Sequence, residues 1–224
     1  MKALILIIFI IVNIIFNFVF AKDAITYPFV KHVHVITSCH LDIGFKDTSA
    51  NILNNYFDIF IPRAVEHGKL IRQNKFPDVF HGDRLNFMFQ SWVISMYLDC
   101  PINMGLHCPS KENITATEEA IRKGDITWHA FPHNAQLEIM SESMIEAGLD
   151  LTFRLDEKFN LKKKQTLSQR DVPGASRSII PILKRNNVTA ISIGANGGST
   201  PPALPPCFVW QDQNSQEEIY GLCT

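Results

Sequence analysis

The sequence predicts an α/β fold built on a parallel sheet, and three observations carry that prediction. Short apolar runs of strand character alternate along the chain with longer segments whose apolar residues recur at helical spacing. No internal repeat or low-complexity linker interrupts this alternation. Hydrophobic residues make up 46% of the 224 positions and charged residues 19%, enough apolar surface for one packed domain. Strand, helix and strand in succession favour parallel pairing, in a sheet that is open or closed into a barrel. In either case the chemistry belongs at the carboxyl ends of the strands.

The first 21 residues stand apart. Lys2 precedes an apolar run over 3–20, broken by Asn13 and Asn17, with Val19 and Ala21 ahead of a cut. This predicts a signal peptide over 1–21, with an uncleaved anchor as the rival reading. No later stretch is apolar enough to span a bilayer, so a secreted or lumenal chain over 22–224, with no stable membrane span after cleavage, is expected.

The predicted elements then run in order. Residues 31–37 alternate around Val33, Val35 and Ile36 as a strand. Residues 51–73 carry Ile52, Leu53, Tyr56, Phe57, Phe60, Ala64 and Leu70 at helical spacing, with Pro62 expected to kink or split the helix. A strand over 85–90 and a helix over 91–98 follow. The next helix is expected over 115–123, capped by Thr115 or Thr117 and stopped by Gly124. A strand at 126–131 leads to a helix at 141–153 with Met144, Ile145, Ala147 and Leu149 inward. Beyond it come a weak strand at 165–169, a helix at 176–185 closed by Asn186-Asn187, a strand at 190–194, a Gly/Pro-rich loop at 196–206 and a last strand at 208–211.

Net charge is −1, so no basic field attracts nucleic acid or an anionic membrane. The five cysteines show no zinc-knuckle spacing; in an oxidising compartment Cys100 and Cys108 could pair across the loop between them, and the odd count leaves at least one thiol over. Two sequons, Asn113-Ile-Thr115 and Asn187-Val-Thr189, fit a secretory route.

Three segments carry candidate chemistry. His40 and Asp42 lie two apart after the first strand, so an extended backbone points both side chains to one side, and imidazole with carboxylate suits a cation such as zinc. Gly44 permits a sharp turn there. A structural histidine and a turn-capping aspartate are the alternative. Trp128 to Glu138 follows another strand and combines an aromatic with a carboxylate; the alternative is a core Trp128 and a Glu138 that serves a helix dipole. Asp171-Val172-Pro173-Gly174 precedes a helix, with Asp171 either an acid/base or a turn residue and Ser176 a cap.

Taken together these segments resemble the N-terminal catalytic domain of glycoside hydrolase family 38, the α-mannosidases, and within it the uncharacterised DUF5054 branch. The matching motifs are His40-Leu41-Asp42-Ile43-Gly44-Phe45; Gly124-Asp125-Ile126-Thr127-Trp128 leading to Glu138-Ile139-Met140; Asp171-Val172-Pro173-Gly174; and Ile193-Gly194-Ala195-Asn196 through the proline-rich loop to Phe208-Val209-Trp210. They span about 32–221. The resemblance implies a partial (β/α)7 barrel of the type shared with polysaccharide deacetylases. It also implies one Zn2+ bound by His40 and Asp42, and retaining cleavage of α-mannosides in glycans by two carboxylates. Asp171 matches the acid/base motif. In typical mannosidases an aspartate follows the motif tryptophan; Pro132 and His133 occupy that neighbourhood here, which makes Glu138 the candidate nucleophile or further ligand.

This chain departs from the family at Phe45, which replaces a tryptophan, and at Ala175 and Gln136, which stand where histidines are expected. The family's last zinc ligand, a histidine, lies downstream of anything matched here, so the resemblance implies an incomplete catalytic barrel. Two other readings stay open: a catalytically degenerate, secreted glycan-binding relative, favoured by Ala175 and Gln136, and a metal-dependent polysaccharide deacetylase.

Overall fold

The computed structural model describes residues 40–77, 84–172, 175–198, 200 and 202–223. The predicted signal peptide and the strand at 31–37 lie outside the described residues.

The first helical segment is three pieces end to end: α1 (Ser49–Asn55), a π-helical turn (Tyr56–Phe60) and α2 (Ile61–Arg72). Thr48 caps α1 by accepting the Asn51 N–H. The expected effect of Pro62 takes the form of the π-turn: Ile61 N–H reaches back to Tyr56 O, five residues away, as the chain enters the helix that carries Pro62 in its first turn. A proline has no N–H to give and its ring crowds the carbonyl four residues back, so the wider turn just ahead of it relieves both problems.

The first parallel pair follows. Strand β1 (Phe87–Phe89) leads to α3 (Ser91–Leu98) and α4 (Lys111–Lys123), then to β2 (Ile126–Trp128), with Phe87 opposite Ile126 and Phe89 opposite Trp128. Helix α4 starts a turn earlier than expected, because Ser110 rather than a threonine accepts the Asn113 N–H as its cap. Gly124 ends it at φ 80°, as expected. Between α3 and α4, Cys100 and Cys108 form a disulfide with their Cα atoms 5.6 Å apart. The loop they close is tied to α1 by the Asn54 carboxamide, which donates to Gly105 O and accepts from His107 N–H, at 3.0 and 2.8 Å.

After a 3-10 turn (Leu137–Ile139), α5 (Glu142–Lys158) crosses to β3 (Thr166–Arg170); α6 (Ile179–Arg185) then crosses to β4 (Ala190–Gly194). Strands β5 (Cys207–Gln211) and β6 (Glu218–Cys223) form a hairpin, and β6 was not predicted. The sheet order is β3-β4-β6-β5, with β3, β4 and β6 parallel and β5 antiparallel at the edge. The two sheets meet where Ala130 N–H donates to Thr166 O at 2.8 Å. Among the described residues the strands form a mixed α/β array with parallel sheets and no closed barrel.

Two apolar cores fill this array. One gathers Leu53, Phe57, Ile61, Ile94, Tyr97, Ile121 and Trp128; the other gathers Phe131, Ile145, Leu149, Leu167, Ile180, Leu183, Ile191 and Ile219. Helix α5 serves both, giving Leu155 to the first and Ile145, Leu149 and Phe153 to the second. Its inward stripe is therefore rotated from the expected one, and Met144 and Ala147 are exposed. Trp128 is a core residue: its indole N–H donates to the wholly buried Asp156 at 2.9 Å, and Asp156 also meets the Lys164 ammonium and backbone N–H.

Candidate metal centre

The carboxyl end of β3 carries the site. Arg170 ends the strand and Asp171 turns sharply out of it at φ 59°, a left-handed conformation tolerated by aspartate better than by most residues. The turn is fixed on two sides. Asp171 N–H donates to Gly194 O at 3.0 Å, prolonging the β3–β4 ladder by one bond. Arg170 N–H donates to Asn134 Oδ1 at 3.2 Å, anchoring the strand end to the loop after β2. That loop is held again by Gln169, whose carboxamide accepts from Ala135 N–H and donates to His133 O.

His40 and Asp42 come to this turn from the chain ahead of α1. His40 Nε2 stands 3.3 Å from Asp42 Oδ2 and 3.6 Å from Asp171 Oδ2, and one ligand atom from each of the three lies within 4.8 Å of the others. Their side chains are 38%, 29% and 27% exposed, so a hydrated cation can reach them. Both separations exceed a good N–H···O hydrogen bond. They match the edge of a tetrahedron whose ligands sit at zinc-like distances from its centre, on the order of 3.4 Å. The donor set, one imidazole and two carboxylates, suits zinc or a similar divalent ion.

The remaining oxygen of Asp171 is also occupied. Asn196, two residues beyond β4, donates its carboxamide N–H to Asp171 Oδ1 and accepts from Gly198 N–H at 2.6 Å. Asn196 therefore holds one carboxylate oxygen and leaves the other toward His40. Sequence reasoning quoted Asn196 within a motif without giving it a role; its place just past a strand end was the available signal. Arg170 was missed as well. Its guanidinium lies over Gly194, where a Cβ would come within 2.4 Å of Nη1, and donates to Ser192 Oγ at 2.8 Å. His129 is buried behind this corner. Burial, with His133 and Arg170 nearby, lowers its pKa to about 4, and its Nδ1 accepts the Phe131 N–H at 3.2 Å. The neutral ring thus carries its proton on Nε2.

The other candidates sit elsewhere. Glu138 is exposed on the 3-10 turn and is not one of the residues gathered around His40 among the described residues. Gln136 is exposed just ahead of it. Ala175 lines a cavity of 790 Å³ beside Asp171, walled by Ile193, Phe208, Trp210 and Leu204 with Asn196 and Thr200 at its rim. Gly44 takes φ 79°, the turn its lack of a side chain permits, and Phe45 beyond it is exposed.

No protein-family model matches the chain, and no curated protein matches it in sequence. Solved structures do. An α-mannosidase from Enterococcus faecalis V583 aligns over 78% of this chain with a TM-score of 0.58 at 15% identity, and the aligned part is 18% of that enzyme. What the two share is the fold. A 4-α-glucanotransferase from Thermococcus litoralis aligns over 76% of this chain and 24% of its own length, with a TM-score of 0.49 and 10% identity. This chain thus spans less than a fifth of the mannosidase and about a quarter of the glucanotransferase.

Proposed function

We propose that this chain is part of a metal-dependent glycoside hydrolase of the α-mannosidase kind, acting on mannose-containing glycans in a secreted or lumenal setting. The observation that carries the reading is the convergence of His40, Asp42 and Asp171 at a strand's carboxyl end, with both carboxylates at tetrahedral-edge separations from the imidazole. The fold shared with an α-mannosidase supports it, as do the motifs that resemble glycoside hydrolase family 38 and its DUF5054 branch. On this reading the strands belong to a (β/α)7 barrel. His40, Asp42 and Asp171 would hold zinc, which supplies Lewis-acid polarisation of sugar hydroxyls when bound.

The chain's own residues do the rest. Asn196 holds one oxygen of Asp171 and leaves the other beside His40, where it would be free to bind a cation. Retaining cleavage needs a second carboxylate about 5 Å from the first, one serving as nucleophile and the other as acid and then base. Asp171 and Glu138 are the pair proposed. A degenerate glycan-binding relative is the second reading, favoured by the placement of Glu138 outside the cluster and by Ala175 beside Asp171.

Zinc titration of the chain by calorimetry, with nitrophenyl α-mannoside hydrolysis alongside, tests both readings. One equivalent of zinc should bind, and Asp42→Ala should weaken binding at least tenfold. Asp171→Asn should suppress hydrolysis about 10³-fold or more while moving the melting temperature by only a few degrees. Zinc binding without hydrolysis, and indifference to Glu138→Gln, would favour the binding relative. Absence of zinc binding would sink the metal-dependent hydrolase.

A further inference from the structure

The sequon at Asn187 has no part in the candidate centre, and its place in the fold gives it one of its own. Helix α6 ends with Asn186, after which Asn187 takes φ 58°. Its N–H donates to Lys184 O and the following Val188 N–H to Leu183 O, at 3.0 and 2.9 Å. This is the Schellman arrangement, with an asparagine at the left-handed position and Val188, wholly buried, supplying the apolar contact beyond it. The Asn187 side chain is exposed, and its carboxamide makes no hydrogen bond among the described residues. The turn lies at the amino end of β4, the opposite end of the sheet from Asp171.

We infer that Asn187 carries an N-linked glycan, placed on the face away from the His40–Asp42–Asp171 cluster. In the transfer, Nδ2 of Asn187 bonds to the anomeric carbon of a lipid-pyrophosphate-linked oligosaccharide. The bond from that carbon to the pyrophosphate oxygen breaks, the lipid pyrophosphate leaves with its electron pair, and one Nδ2 proton is lost. The disulfide between Cys100 and Cys108 is an independent sign of a compartment where this donor chemistry operates.

Timing favours Asn187 over the other sequon. Asn113 sits in the first turn of α4, with its N–H already bound by Ser110 and the Thr115 hydroxyl donating to Lys111 O. All of those contacts are local, so that sequon closes as soon as the helix forms. Thr189 instead waits on distant partners: its N–H donates to Gln165 O, and its carbonyl accepts from Tyr220, 31 residues downstream. The turn at Asn187 and Val188 closes with α6, but until β6 has emerged the Thr189 carbonyl lacks its Tyr220 partner and the end of the sequon is not yet fixed in the sheet.

The test is peptide mass spectrometry of the full chain made in eukaryotic cells from its own N-terminus. After enzymatic glycan release, Asn187 should be converted to aspartate in most molecules, and to a greater extent than Asn113. Asn187→Gly suits the left-handed turn and keeps the fold; it should remove one glycan's mass, and Thr189→Ala should remove the same one. An unmodified Asn187 in the recovered protein would overturn the inference, as would a mass loss with Asn113→Gln alone.

Discussion

At the scale of single residues, His129 has the clearest measurable consequence. Its folded pKa lies near 4, below the ordinary histidine value, because burial disfavours the charged ring. Between those two values the unfolded chain binds a proton that the folded chain does not, so stability falls as pH drops from about 6.5 to about 4 and is level above that window. A shift of this size corresponds to about 3 kcal/mol as an upper figure. Thermal melts at pH 7 and pH 4.5 should therefore differ by several degrees, and His129→Gln should narrow the difference; an equal difference in the variant would assign it to other groups. His40 and Asp42 were read as candidate ligands because alternation along an extended segment is a local signal, whereas Asp171 was read as an acid/base or turn residue and its place beside them follows only from the folded chain. Glu138 was read as a site residue from the family resemblance, as the carboxylate nearest the motif tryptophan; it lies exposed on a 3-10 turn and, among the described residues, is not one of those gathered around His40. Nothing local encodes which strand-end loops bend inward. Asn196 went unassigned for the complementary reason: its role exists only once β3 and β4 are paired.

Helix ends show a shared device at the scale of elements. Asn74, Gly124, Asn160 and Asn187 each take a positive φ just past a helix, and each is followed by a residue whose N–H reaches back to the last turn. Three of the four positions use asparagine where glycine is commonest. Asn160→Ala should cost about 1 kcal/mol, because a Cβ without a local polar group is strained there, while Asn160→Gly should be neutral or stabilising by a few tenths; urea unfolding of the two variants would distinguish them, and equal midpoints would refute the account. Most helix stops were accordingly legible, although the sequence reading ended α5 at 153, five residues short of Lys158 and its Asn160 turn. Ser110 caps α4 from a position the sequence reading left in the preceding loop. On α5, buried Asp156 disguises the inward stripe, since its value to the fold comes from Trp128 and Lys164 rather than from its own polarity. Strand β6 escaped notice because Gly221 occupies an inward position: the Phe208 ring on the neighbouring strand lies over it, where a Cβ would meet that ring at 2.2 Å. One strand thus borrows its apolar content from another, a pattern no single-segment reading contains.

For the whole molecule, the α/β class and the parallel pairing were legible because they follow from alternation, whereas the line along which the sheet divides was not. The two cores meet at β2 and β3, joined among the described residues by backbone bonds from Ala130 to Thr166 and from Trp92 to Pro132, by the Gln169 and Asn134 side chains, and by α5, which serves both. Amide hydrogen exchange should reflect this. Ladder amides of β4 facing β3 and β6 should exchange slowest, and the amides of Ala130 and Ala135 at the junction markedly faster; uniform protection across the junction would contradict the division. The junction also has a polarity along its length. Toward the amino end of β3 it is flanked by wholly buried hydrocarbon from Leu167 and Phe131, whereas toward the carboxyl end, among the described residues, amide links from Gln169 and Asn134 secure it beside the partly buried Ala135. Water and denaturant compete for such links far better than for buried methyl groups, so the rim bearing Asp171 should loosen first as conditions worsen, and the amides of Asp171 and Ala135 should exchange before those at the far ends of the strands.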